Sequence, residues 1–217
     1  MKDYLVLKLV GPMQAWGRES FEGLRPSEVF PGRSALLGLL GACLGIDRSD
    51  QDAQHSLAKS VSFAVRVDQQ GQKMTDYHTV KDARVEYSGL KSHDTIQTWR
   101  EYWQDAKYTV VIWLSPNAPI TLENLESAIG KPKYTPVLGR RSCPLSRPLY
   151  EAKVSAQSAL DALSLIEPAQ GTIYSEEYTE HARPLKKRDV PIIQQPRQFA
   201  SRIVFMSRSQ GGQDVSE

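Results

Sequence analysis

Cysteine is nearly absent: Cys43 sits in an apolar run, Cys143 among prolines, and no CxxC pair occurs in the 217 residues. That excludes a disulfide framework and a thiolate zinc cluster. His78, His93 and His181 each lack a second His or Cys three or four residues away, so the sequence offers no metal signature and points to no cofactor. No apolar run approaches the roughly 18–20 residues that a membrane span needs. The opening MKDYLVLKLVGPM carries Asp3 and is too short for a secretory leader, so the expected location is the cytoplasm and no membrane partner is expected. Repeats and low-complexity tracts are missing. GRSALLG and GLLGACLG lack the GK[ST] ending that holds Mg²⁺ and terminal phosphates, which removes a P-loop reading. A formal net charge of +2 is too small to argue for a polyanionic partner, so placement of the charges must decide.

What is present reads as strand, helix, strand, then strand, helix. YLVLKLV (4–10) is a buried strand ended by Gly11-Pro12. Ser34 stands where an N-cap is expected, ahead of Leu36, Leu37, Leu40 and Leu44 on one helical face, with Gly45 as the stop. Gly38 and Gly41 inside that helix predict either close packing on a sheet or backbone approach to a phosphate. VSFAVRVD (61–68) and YTVVIWL (108–114) are strands, and 121–129 is a short helix capped by Thr121 and stopped at Gly130. This order predicts an α+β fold built on a ferredoxin-like or RRM-like domain over residues 1–150. Residues 76–107, poor in aliphatic side chains, are expected to project as an insertion. A helix near 156–165 and strands in TIYSEEY, VPIIQQ and SRIVFM predict a small β-rich lobe and tail over 151–217.

The insertion mixes Tyr77, Tyr87, Trp99, Tyr102 and Trp103 with Lys81, Arg84, Lys91 and Arg100. Aromatic faces stack on unpaired bases while Lys and Arg hold phosphates, the usual chemistry of single-stranded RNA binding. Trp99 and Trp103, four apart, equally fit a helical core pair. In KPKYTPVLGRRSCPLSRPLY, Arg140 and Arg141 follow a glycine in an ordered loop and suit a phosphate clamp. Cleavage of RNA without a metal needs a base and a donor beside the 2′-hydroxyl. His93 with Lys91, or His78 with Tyr77 and Lys81, would be the candidate sets.

Several segments together resemble a known family: LVGPMQAWG, FEGLRPSEVFPGRSALLGLLGACLGI, DYHTV, GLKSHDTIQTWREYW, KPKYTPVLGRRSCPLSRPL, IYSEEY and PRQFASR. They are similar to the CasD-type, fifth Cas protein family in its type I-E CRISPR form, over residues 1 to about 202. The resemblance implies an RRM-like domain with a protruding thumb and a C-terminal lobe. It implies a non-catalytic subunit of Cascade that binds the 5′ handle of crRNA. The implied partners are the CasC-type backbone subunit, the CasA-type large subunit, the other Cascade subunits and, through the complex, target DNA. A metal-independent endoribonuclease acting on CRISPR precursor RNA is the alternative, since some related systems use their CasD-like protein that way. The RNA-binding residues carried over are Gln14 and Trp16 beside the first strand, Arg33 and Ser34 at the helix start, Lys91, His93, Gln97 and Arg100 along the thumb, and Arg140 and Arg141.

Overall fold

The computed structural model describes residues 1–20, 22–81, 95–193 and 198–209. In chain order the elements are β1 (Lys2–Val10), β2 (Met13–Gln14), β3 (Leu24–Arg25), α1 (Arg33–Leu44), α2 (Gln51–Ser60), β4 (Val61–Gln69), β5 (Gln72–Lys81), β6 (Thr95–Gln104), β7 (Lys107–Leu114), α3 (Leu122–Gly130), β8 (Tyr150–Ala156), α4 (Ala159–Ser164), β9 (Thr172–Ser175), β10 (Arg183–Ile192) and β11 (Gln198–Arg208). Seven strands form one sheet in the order β10-β11-β9-β4-β7-β1-β8, and every pairing in it is antiparallel. The middle of this sheet is two β-α-β halves, β1-α1-β4 and β7-α3-β8, with their strands lying in the order β4-β7-β1-β8.

Alternation along the central strands sends side chains to two different cores. Leu5, Leu7 and Leu9, with Phe63, Val65, Val110 and Ile112, face α1, α2 and α3 and close the main core. Each such leucine, fully removed from water, contributes about 1.5–3 kcal/mol before entropic costs. Tyr4, Val6, Ala64, Val111 and Trp113 face the other way, onto Ala159, Ala162 and Leu163 of α4. Both faces of the central sheet are therefore covered.

The expected strands at 4–10, 61–68 and 108–114 and the 121–129 helix are found, and SRIVFM lies within β11; of TIYSEEY only Thr172–Ser175 is strand, and of VPIIQQ Val190–Ile192 ends β10 while its last two residues lie outside the described ones. α1 ends as expected, with Gly45 left-handed at φ 74° and Ile46 N–H donating to Gly41 O at 2.8 Å. Its start differs. Gly32, not Ser34, is the N-cap, and it has no side chain to offer. Asp189 of β10 supplies the missing acceptor instead, taking the Arg33 N–H at 2.8 Å. Nor do the helix glycines mark a close approach: a methyl at Gly38 would meet nothing within 4 Å, and one at Gly41 only ordinary contacts with Leu57 at 3.9 Å and Ile46 at 4.0 Å. The polar helix α2, which the sequence pattern does not announce, is capped by the Asp50 side chain at Ala53 N–H.

β5 and β6 pair over ten residues each as an antiparallel ribbon. β6 also borders β2 and, in parallel, β3, which makes a small second sheet. The inner end of the expected insertion is not separable from the fold: Tyr102 is 2% exposed and Ala106 fully buried in the main core. Trp103 packs against the same core and donates to Glu28 O at 2.7 Å. Residues 82–94 lie outside the described residues. β9 hydrogen-bonds onto the β4 edge of the main sheet, with β11 and then β10 outside it, and the expected division at 150–151 falls at the first residues of β8, the partner of β1.

A ring of four charges fixes the outer strands to α1. Arg33 donates to both Glu176 carboxylate oxygens at 2.7 Å, Arg202 reaches Glu176 at 3.0 Å, and Arg202 grips Asp189 through two nitrogens at 2.6 and 2.7 Å. Asp189 then closes the ring on the Arg33 amide.

Candidate nucleic-acid interface

In a sheet with helices on one face, the other face is the obvious place for a ligand. Here that face is shut. Arg66, wholly buried on β4, donates to Leu163 O and to Ile166 O at 2.8 Å, and Lys8 donates to Glu167 O at 2.6 Å. Asp68 balances them, 2.7 Å from Arg66 and 3.0 Å from Lys8. Lifting the α4 segment would leave a buried guanidinium without its carbonyls, which is costly. A polyanion must be held elsewhere.

The second sheet offers that place. Register pairs Arg25 of β3 with Arg100 of β6, so both side chains leave the same face. Tyr102, two residues on, shares that face, and the Arg140 guanidinium covers its ring at 4.6 Å from the centroid. Arg140 is held there by Glu101 O at 3.2 Å and Arg25 O at 3.0 Å. The turn that aims it depends on Gly139. That residue has φ +91°, and a methyl there would lie 1.8 Å from Ala15 O. Arg141 follows, exposed, with no hydrogen bond or ion pair among the described residues.

Arg25, Arg100 and Arg140 thus meet at the base of the ribbon, with Arg141 next in the chain, and none has a carboxylate among the described residues in ion-pair contact; Asp76, opposite Arg100 in register and on the same face, lies instead 2.5 Å from His78. The nearest acid in sequence, Glu101, points to the opposite face, where it binds Lys73 at 2.8 Å and the Ser27 N–H at 3.0 Å. Burial alone would raise the Glu101 pKa. Those two partners outweigh it and hold the carboxyl below its ordinary value. Its charge is committed away from the arginines. The contrast with Arg33, Arg66 and Arg202, each facing a carboxylate, is what marks the cluster.

The residues expected from the sequence divide. Arg100, Arg140 and Arg141 come together; Gln97 is exposed on the other face of the same ribbon. Lys91 and His93 lie outside the described residues. Gln14 and Trp16 are corrected: they are 0% and 1% exposed. Gln14 spends its amide on Leu9 O at 3.1 Å and Ala106 O at 2.7 Å, and Trp16 meets the Tyr108 ring edge-on at 6.2 Å. They tie the 11–16 loop to the core and have no surface for RNA. Arg33 is corrected as well, since its guanidinium is consumed by Glu176, Ala58 O and Val61 O. The helix start beside half-buried Ser34 already holds the Asp189 carboxylate, so an incoming phosphate would meet an anion there. Of the candidate cleavage sets, His78 projects from the face of β5 opposite to Tyr77 and Lys81, because neighbours in a strand alternate. It lies 2.5 Å from Asp76. Among the described residues no cluster of His, Cys, Asp or Glu is placed to hold a metal ion. Arg25 was not legible in the sequence; only its parallel pairing with β6 brings it to Arg100.

Comparisons with known proteins agree on one relationship. The family described as CRISPR-associated protein (Cas_Cas5) matches residues 4–208. The chain is 52% identical, over all of both chains, to the CRISPR system Cascade subunit CasD of Escherichia coli (strain K12). Among solved structures, a chain of a CRISPR RNA-guided surveillance complex superposes with a TM-score of 0.73 at 27% identity, covering 95% of this chain and 90% of that one. A second, described as a Cas protein, gives 0.67 at 26% identity, covering 95% and 94%.

Proposed function

The chain belongs to the Cas5 family of CRISPR-associated proteins, and from that premise we propose that it is a non-catalytic, RNA-binding subunit of a type I-E Cascade complex. In this reading it caps the 5′ handle of crRNA and joins the CasC-type backbone to the CasA-type large subunit. It meets target DNA through the complex. The work is cytoplasmic; no helix among the described residues is long and apolar enough to cross a membrane. The strand order β4-β7-β1-β8, with a helix between the strands of each half, supports an RRM-like core. The closed sheet face directs RNA to the ribbon, which serves as the thumb.

The observation that carries the RNA reading is the group of Arg25, Arg100 and Arg140, with Arg141 beside them in the chain, without carboxylate ion-pair partners among the described residues. Guanidinium groups so arranged suit the phosphates of a single strand. Arg141, Arg100 and Arg25 are the proposed phosphate contacts, Arg140 sets the base of the site, and Gln97, Lys91 and His93 belong to the same thumb. Separation of His78 from Tyr77 and Lys81 gives cleavage no assembled site there.

The test is binding of a labelled, repeat-derived single-stranded RNA across a salt series. Arg141→Ala, Arg100→Ala and Arg25→Ala should each weaken binding and lower the log–log salt slope by about 0.7. Unchanged slopes in all three would remove the site. Reconstituting the complex without this chain should expose the 5′ nucleotides of the crRNA to nuclease; unchanged protection would remove the capping role.

A further inference from the structure

The face of the ribbon opposite the arginines carries an aromatic surface that phosphate binding does not use. Tyr77 and Trp99 are directly opposed in register and remain 50% and 44% exposed. Their ring centroids are 5.5 Å apart and the planes are tilted by 54°, so the rings form an open angle and do not cover each other. Gly23 backs the indole. A methyl there would lie 3.1 and 3.3 Å from two of its ring carbons, and the backbone N–H of Trp99 donates to Gly23 O at 3.0 Å. One side of the ring is seated on backbone and the rest faces solvent.

The surroundings indicate the occupant. The next pair outward on this face is Thr79 with Gln97, both exposed, and beyond it Lys81 has no carboxylate partner among the described residues. Inward, Lys73 balances Glu101. The surface therefore runs from an apolar patch of Tyr77, Trp99 and exposed Leu24, the register partner of Trp99, to neutral donors and acceptors and then to a cation with no carboxylate partner among the described residues. On the reverse of β3 and β6 lie Arg25 and Arg100, which have no carboxylate in ion-pair contact among the described residues, reached around the two-residue edge strand β3. An apolar protein segment has no use for that cation or those amide groups; a polyanion with a planar, hydrogen-bonding base uses all of them.

We propose that Tyr77 and Trp99 form a stacking platform for one unpaired base of the bound RNA, with Gln97 and Thr79 beside its edge. The proposal rests on the RNA-binding reading and adds a base-contacting site to its phosphate-contacting one. The strand passes over the β3 edge, phosphates on the arginine face and one base on the aromatic face.

The experiment uses the full chain and the same labelled RNA. Trp99→Ala and Tyr77→Ala should each weaken binding about 5- to 150-fold, with the salt slope unchanged because no charge is lost. Trp99→Phe, which keeps a π-face, should retain most of the affinity. Abasic substitutions placed singly along the RNA should include one position at which Trp99→Ala no longer matters. Affinity of Trp99→Ala within about twofold of the parent, or a penalty that no abasic position removes, would overturn the platform. If Arg141→Ala still lowers the salt slope in that case, the RNA reading stands while the platform falls. If the parent chain itself binds no RNA, both fall. Normal RNA binding by Trp99→Ala with failure to enter the assembled complex would make this face a protein contact, again against the proposal.

Discussion

Asp189→Asn tests whether the charge ring, more than sheet hydrogen bonding alone, holds the outer strands on α1. The substitution keeps the shape and removes the charge. The Arg202 Nε bond is lost, its acceptor becoming an amide N–H donor, and the Nη2 bond loses its anionic acceptor, while the remaining amide oxygen can still accept the Arg33 N–H and Nη2, and Arg202 keeps Glu176 at 3.0 Å. Hydrogen bonds to charged groups contribute about 1.5–3 kcal/mol each, and the retained partners offset part of that, so the expected loss is about 2–4 kcal/mol. For a chain of 217 residues this lowers Tm by roughly 4–16 °C. Urea unfolding followed by circular dichroism gives the value directly, with an unchanged slope. Acid supplies a second reading. Burial alone would raise the Asp189 pKa, but Arg202 and the Arg33 amide outweigh it and hold the carboxyl below its ordinary value. A carboxyl lowered by folding stabilises fully above its unfolded value and stops doing so as pH falls through the folded one. The gap between parent and Asp189→Asn should therefore close as pH is lowered past the ordinary aspartate range. A loss under about 1 kcal/mol at neutral pH, or a gap that persists in acid, would refute the reasoning.

Other positions make separate predictions. Gly38→Ala should stabilise the protein by about 0.5–1 kcal/mol in the same urea assay, because the helix interior there is exposed and a methyl meets nothing within 4 Å; destabilisation would mean an unseen contact. Gly139→Ala should cost about 2 kcal/mol or more and weaken RNA binding together, since a methyl 1.8 Å from Ala15 O must displace the turn that aims Arg140 and Arg141; a fully stable variant would contradict that geometry. Burial pushes the Cys43 thiol up to about 11 and raises Cys143 as well. At pH 8 neither should react with a thiol reagent until denaturant is added, and rapid labelling of the native chain would show one of them to be open.

Local pattern determined much of the fold by itself. The apolar runs of β1, β4 and β7, the leucine face of α1 with its left-handed Gly45, and the Thr121 cap of α3 depend on residues within one or two turns of each other, and each was legible. So was the family, because long segments in one order carry it, and so was the adjacency of Arg140 and Arg141. The polar helix α2 escaped for lack of an apolar stripe, and β5 and β6 escaped because charged and aromatic side chains on an exposed ribbon leave no clean alternation of burial. What tertiary structure alone decided are the pairings across long stretches of chain. Asp189 caps a helix 156 positions away, and Glu176 and Asp68 neutralise Arg33 and Arg66 while among the described residues nothing comparable comes to Arg25 or Arg141. Register sends Tyr77 and His78 to opposite faces. Gln14 and Trp16, motif residues beside the first strand, turn inward, where Leu9 O and Ala106 O take the Gln14 amide and the Tyr108 ring meets Trp16. Whether a polar or aromatic side chain is free to bind depends on which distant groups have already satisfied it, and that is a property of the folded chain.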